Sequence, residues 1–138
     1  MSTGKLSHLQ VNVRQENLPF YHDLFVFLDW EPLFSGESGE AFNSMGDTSL
    51  WFMAGAKDIR TDYDGPGVNH IAIAAASPAA VDATAAYLDE HGVERLFETP
   101  RHRPDFSHSE NDTYYQVMFE SPDGILFEHV YMGPKQGE

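Results

Sequence analysis

The sequence predicts an α+β protein made of two tandem β-α-β-β-β halves, and three observations lead there. Two short β-like runs, KLSHLQVNV (5–13) and GVNHIAIAAA (67–76), each carry a histidine near their start, and His8 and His70 stand 62 positions apart in a chain of 138 residues. Each run is followed by a segment with helical spacing and then by three short β-like runs. Between the halves lies AKDIRTDYDGPG (56–67), which has no hydrophobic period and ends in turn formers. It reads as a linker between a first module at 5–55 and a second at 68–132, together one domain in size.

Element by element, Leu6 to Val13 alternates well enough for a half-buried strand. From Leu18 to Trp30, Leu18, Phe20, Tyr21, Leu24, Phe25, Phe27 and Leu28 give an apolar stripe at helical spacing, with Pro19 in the first turn, where its missing N–H costs nothing. EPLFSGESGE reads as a strand and a turn, AFNSM as a strand, GD as a hairpin signal and TSLWFMA as a strand. In the second half Val68 to Ala76 is a strand. Ser77 is an N-cap followed by Pro78, and Ala79 to His91 is a helix stopped by Gly92. VERLFET, YYQVMFE and ILFEHVY are strands, the last two joined by the turn SPDG.

With His8 laid on His70, Leu33-Phe34 falls on Leu96-Phe97 and GDTSLWFM falls near PDGILFEH, which pairs Phe52 with Glu128. The second half is longer, and its extra chain lies within ETPRHRPDFSHSENDT (98–113), expected either as a solvated surface loop or as a loop that covers a cavity.

Composition narrows the function. A hydrophobic content of 41% with ten Phe, six Tyr and two Trp suffices for a packed interior. The formal charge of −14, from 22 acids against 8 bases, argues against nucleic acid, whose recognition needs a basic patch, and against anionic membranes. It would attract a cationic ligand. No window nears the ~20 apolar residues of a membrane span, and MSTGKLSHLQ carries no apolar secretory stretch, so a cytoplasmic protein is expected. Without cysteine, any metal must be held by His, Asp or Glu.

The strand opening with His8, the strand opening with NHI at His70, and the ending YYQVMFESPDGILFEHVY together resemble the vicinal oxygen chelate superfamily, the glyoxalase/bleomycin resistance/extradiol dioxygenase group. The resemblance runs from about Leu6 to Tyr131. It implies two βαβββ modules whose strands form a curved mixed sheet around a cavity, with His8, His70 and Glu128 as ligands of a divalent metal (Fe2+, Mn2+, Ni2+ or Zn2+). In glyoxalase I a fourth ligand lies at the position aligned here with Phe52, which cannot bind a metal. The three-ligand form therefore remains. It also implies a homodimer acting on a small molecule.

Two imidazoles and a carboxylate leave coordination positions open and a net charge of about +1, suited to an anionic oxygen. If His8 faces the cavity, so do Leu6, Gln10 and Asn12, while Leu9, Val11 and Val13 pack beneath the helix. Glu128 likewise brings Leu126 and Val130, and turns Phe127, His129 and Tyr131 away. Phe52, with Leu50 and Leu126, is expected as an apolar cavity floor, and Trp51 and Met53 beneath the helix. In the 98–113 segment His102 and His108 are candidate general bases, and Arg101 and Arg103 candidate partners for a substrate carboxylate or phosphonate. Of Tyr114 and Tyr115 alternation admits one; Tyr114 is a candidate substrate contact and Tyr115 a candidate catalytic group. Gln10 and Phe52 complete the candidate substrate contacts. A metal-dependent dioxygenase, lyase or isomerase is the leading reading, and a bleomycin-resistance-type binding protein without catalysis is the alternative.

Overall fold

The computed structural model describes residues 3–135, and the chain divides into two units, Met1–Arg60 and Thr61–Glu138. The boundary falls within 56–67, where neither helix nor strand forms. In the first unit β1 (His8–Val13), α1 (Leu18–Phe27), β2 (Glu31–Gly36), β3 (Gly39–Asn43) and β4 (Ser49–Ala54) form a mixed sheet in the order β1-β4-β3-β2. β1 runs parallel to β4, which a chain can reach only through a long crossover, here α1 and two antiparallel strands. Helix α1 buries Leu18, Tyr21, Leu24 and Phe25. Phe25 lies 5.4 Å from Phe42 and 5.2 Å from Phe52, and Tyr21 stacks on Phe52 at 4.5 Å.

Phe52 is therefore a fully buried core residue beneath α1, which corrects its expected place on a cavity floor. Residues opposite one another in a ladder share a face, and the register pairs Leu9 with Leu50 and Val11 with Phe52. Leu50 and Phe52 must then lie with Leu9, Val11 and Val13 under the helix, while His8 and Gln10 share the opposite face with Ser49 and Trp51. Alternation gave the right face for β1 and the wrong one for β4, because a period of two fixes no absolute phase without the register.

The second unit repeats the topology: β5 (Ile71–Ala74), α2 (Pro78–Glu90), β6 (Arg95–His102), β7 (Asp112–Glu120) and β8 (Leu126–Pro134), in the order β5-β8-β7-β6. Ser77 caps α2 by accepting the Ala80 N–H at 3.1 Å. Gly92 ends it at φ +69°, and the Val93 N–H returns to the Leu88 carbonyl at 2.9 Å. Val81, Thr84, Ala85 and Leu88 are its buried face. In the SPDG turn the Ser121 hydroxyl accepts the N–H groups of Asp123 and Ile125, and Gly124 takes φ +82°. That turn fixes Glu120 opposite Leu126 and so Met118 opposite Glu128.

Two of the boundaries that differ from expectation bear on the site. β5 begins at Ile71, leaving His70 one residue before the strand. β6 continues to His102 through an irregularity between Leu96 and Arg101, where Phe97 and Glu98 adopt φ +57° and +60°. Much of 98–113 is thus strand or 3₁₀ turn (Pro104–Phe106) rather than loop. Two consecutive non-glycine residues in the left-handed region cost energy, and such irregularities re-aim side chains next to sites.

The shared topology also realigns the halves. The first ladder pairs after the two histidines are Leu9–Leu50 and Ile71–Phe127; the next are Gln10–Trp51 and Ala72–Glu128. The counterpart of Glu128 is therefore Trp51, and Phe52 corresponds to His129. An indole only donates; that of Trp51 donates to the Ser49 hydroxyl at 3.0 Å. The first unit still offers no fourth metal ligand at this position. No helix among the described residues is long and apolar enough to cross a membrane.

Candidate functional site

Glu128 stands in the middle of an apolar strand with 2% of its surface exposed. A buried carboxylate is costly unless its oxygens find partners. Alternation along β7 puts Tyr114, Gln116 and Met118 on the face opposite Glu128's neighbours Phe127 and His129, and two of the three supply those partners. The Tyr114 hydroxyl donates to Glu128 Oε2 at 2.8 Å, and the Gln116 amide donates to the same oxygen. Burial first, then the bond to Glu128, pushes the Tyr114 hydroxyl up to about 12, against a lowering by Arg103. It stays a donor at neutral pH.

The other oxygen, Oε1, faces His70 Nε2 at 3.3 Å. The proton on His70 can be assigned from its surroundings. Asn69 Nδ2 donates to the Tyr63 carbonyl at 2.8 Å, which turns Asn69 Oδ1 toward His70 Nδ1 at 2.7 Å. An amide oxygen only accepts, so Nδ1 carries a hydrogen, and in the neutral imidazole Nε2 is the nitrogen left with a lone pair, facing Glu128 Oε1. In that neutral form two acceptors face one another across 3.3 Å, an arrangement that a cation held by both resolves. The outer hydrogen bond fixing the ring is the usual support of a metal-binding imidazole. The donor set of this pair thus fits a divalent ion. Among the described residues no group of three or more His, Cys, Asp or Glu is placed to hold one.

His70 and Glu128 open on a cavity of about 470 Å³ within the second unit. Arg103 lies at its edge, donating to Gln116 Oε1 at 3.2 Å with its guanidinium carbon 4.9 Å over the Phe106 ring. Phe106 meets Tyr114 edge-on at 5.4 Å. Phe97, Met118 and Leu126 supply apolar wall.

Of the residues singled out in the sequence, the structure brings together His70, Glu128, Tyr114 and Arg103. It places others elsewhere. Tyr115 points to α2, where its hydroxyl donates to Asp82 at 2.5 Å and is pushed up to about 12 by burial and that bond. His102 pairs with Tyr115 across the ladder and so shares its face, its Nδ1 against the Thr113 hydroxyl. His108 is exposed in a turn, and Arg101 faces Glu98 at 3.9 Å. None of these four lines the cavity. In the first unit, His8 Nδ1 lies 3.1 Å from the Ser7 hydroxyl and Gln10 donates to Asn12. His129 turns away from Glu128, as alternation predicts, and burial pushes it down to about 4 beside the Thr84 hydroxyl at 2.8 Å. Sequence reading missed Asn69, Tyr63, Gln116 and Phe106. Gln116 was within reach, two residues from Tyr114 on the same strand face.

The profile of the Glyoxalase/Bleomycin resistance protein/Dioxygenase superfamily matches residues 5–129. A glyoxalase candidate from Bacillus halodurans is 29% identical, with 94% of this chain and 96% of that chain covered and a TM-score of 0.76. The fosfomycin resistance protein FosX of Listeria monocytogenes, solved with Mn(II) and 1S,2S-dihydroxypropylphosphonic acid, is 25% identical over 94% of this chain and 90% of its own, TM-score 0.62. The antibiotic binding protein TnmS3 of Streptomyces sp. CB03234 shares the fold at 21% identity, 98% and 99% coverage, and TM-score 0.60. No curated protein matches the chain in sequence.

Proposed function

Since the chain belongs to the Glyoxalase/Bleomycin resistance protein/Dioxygenase superfamily, we propose that it is a metal-dependent enzyme acting on a small oxygen-chelating substrate. His70 and Glu128 are the metal ligands contributed by the second unit. His8 enters as the third ligand on the family resemblance alone. So do a homodimeric state, a cytoplasmic location and the choice among iron, manganese, nickel and zinc. The observation that carries the reading is His70 Nε2 set against Glu128 Oε1 at 3.3 Å, with Nδ1 held by Asn69 Oδ1.

A divalent ion bound there would act as a Lewis acid toward a substrate oxygen. The remaining work belongs to side chains. Tyr114 and Gln116 hold Glu128 in one orientation through Oε2 and leave Oε1 facing His70. Asn69, anchored on the Tyr63 carbonyl, keeps the hydrogen of His70 on Nδ1. Phe97, Met118 and Leu126 give a bound molecule an apolar wall.

Metal content by elemental mass spectrometry tests this, on untagged protein prepared without chelator, beside His8→Ala, His70→Ala and Glu128→Ala. About one metal per chain, lost in the variants, is expected. A metal-free chain even after reconstitution overturns the reading. It would favour the second one, a non-catalytic binder of cationic molecules, whose support is the net charge of −14.

A further inference from the structure

Arg103 differs from the other arginines that the chain pairs. Arg14 meets Asp58 at 3.4 Å, Arg95 meets Asp89 at 3.0 Å and Arg101 meets Glu98 at 3.9 Å. With 22 acids to 8 bases, a carboxylate partner is the ordinary outcome. The side-chain partners of Arg103 are both neutral: the Gln116 amide oxygen and the face of Phe106. One of its five N–H donors is used; the other four have no partner among the described residues. The guanidinium is half-buried at the edge of the cavity.

A single carboxamide explains how this cation stays unneutralised so near a buried anion. Gln116 accepts from Arg103 through Oε1 and donates to Glu128 through Nε2. It stands between the two charges, satisfies one donor and one acceptor, and prevents them from closing into an internal ion pair. Phe106 beneath the guanidinium fixes its plane. Such a held fork suits two oxygens of one anionic group.

We propose that Arg103 is the head-group site of the ligand. It takes the paired anionic oxygens of a small carboxylate or phosphonate, whose short apolar body lies against Phe97, Met118 and Leu126. The inference deepens the ligand cavity proposed above and rests on it, adding the sign of charge and the polarity of the molecule that enters.

Calorimetric titration of protein stripped of metal and then dialysed free of chelator, with benzoate, phenylphosphonate and the neutral benzamide as probes, tests the site independently of any metal. At least one of the two anions should bind at least tenfold more tightly than benzamide, and the tighter of them identifies the head group. Arg103→Gln should remove the preference, Arg103→Lys should keep part of it, and Arg95→Gln should leave it unchanged, with circular dichroism confirming the fold of each. Equal binding of benzamide and both anions, or a preference that survives Arg103→Gln, overturns the proposal. Metal content is a separate readout: a chain that prefers anions but takes up no metal overturns the metal reading and leaves this one standing.

Discussion

The two units are built alike, yet at matching places in their ladders they carry different chemistry. In the first, Trp51 and Phe52 occupy the positions that Glu128 and His129 occupy in the second. Phe52 lies under α1, stacked on Tyr21; His129 lies under α2, hydrogen-bonded to Thr84. Trp51 turns to the other face and ties itself to Ser49, where Glu128 meets Tyr114, Gln116 and His70. The first unit thus fills both places with aromatic bulk, while the second fills both with groups that need a polar partner and supplies one for each. Topology alone does not make the site. It makes two equivalent slots, and the side chains decide which is packing and which is chemistry.

The sharpest way to break that contrast is at Phe52. Its removal from a fully buried stack should destabilise the protein by about 4 kcal/mol, the cost of a large aromatic-to-alanine cavity, with the metal content of whatever remains folded unchanged. Urea unfolding of Phe52→Ala measures it. A loss below about 1 kcal/mol would return Phe52 to an open cavity wall, as alternation first suggested.

At the matching place in the second unit the prediction concerns pH. His129 is held neutral by burial, its value moved from 6.5 to about 4. Above pH 6.5 neither folded nor unfolded chain protonates it, so stability is unaffected. As pH falls from 6.5 toward 4 the unfolded chain takes up a proton that the folded chain refuses, and stability drops by roughly 3 kcal/mol in total. Unfolding in chelator across this window, compared with His129→Gln, isolates the contribution. Parallel acid limbs in the two proteins would show that His129 charges without cost and that its slot is not dry.

How far these slots were legible in the sequence differs by element. The Ser77-Pro78 start and Gly92 stop of α2 and the SPDG turn are local signals, because a cap, a fixed φ and a left-handed glycine act within a few residues. They placed the helix within a residue or so, and the turn put Glu128 opposite Met118. β4 has no comparable marker of phase. Its face is set by pairing with β1, 41 positions away in the His8–Ser49 pair, and no window of β4 contains that information. The 98–113 segment was misjudged because β6 resumes beyond its two left-handed residues, so a strand hides in what composition marks as loop. At the site, His70 and Glu128 could be named from the resemblance. The Tyr63–Asn69 relay could not, since it depends on a linker folding back onto the residue before the histidine.

The finest comparison sets Glu128 against the other buried glutamate that faces an imidazole, Glu40 on β3. Both lie 3.3 Å from a histidine nitrogen, Glu40 from His22 Nδ1. Glu40 Oε1 also accepts from the Ser35 hydroxyl at 2.8 Å, but its Oε2 is buried with no partner among the described residues. Replacing either by glutamine removes a buried charge and should have opposite structural consequences for the new amide. In Glu128→Gln the oxygen keeps the Tyr114 and Gln116 donors, and the new NH₂ meets the His70 lone pair, so in chelator the protein should gain about 1–2 kcal/mol while losing its metal. In Glu40→Gln the NH₂ inherits the partnerless position, so the gain should stay under about 1 kcal/mol. Denaturant unfolding of both variants decides it. If Glu128→Gln instead destabilises, His70 is donating from Nε2, the two groups form an ordinary ion pair, and the pocket has no lone pair waiting for a cation.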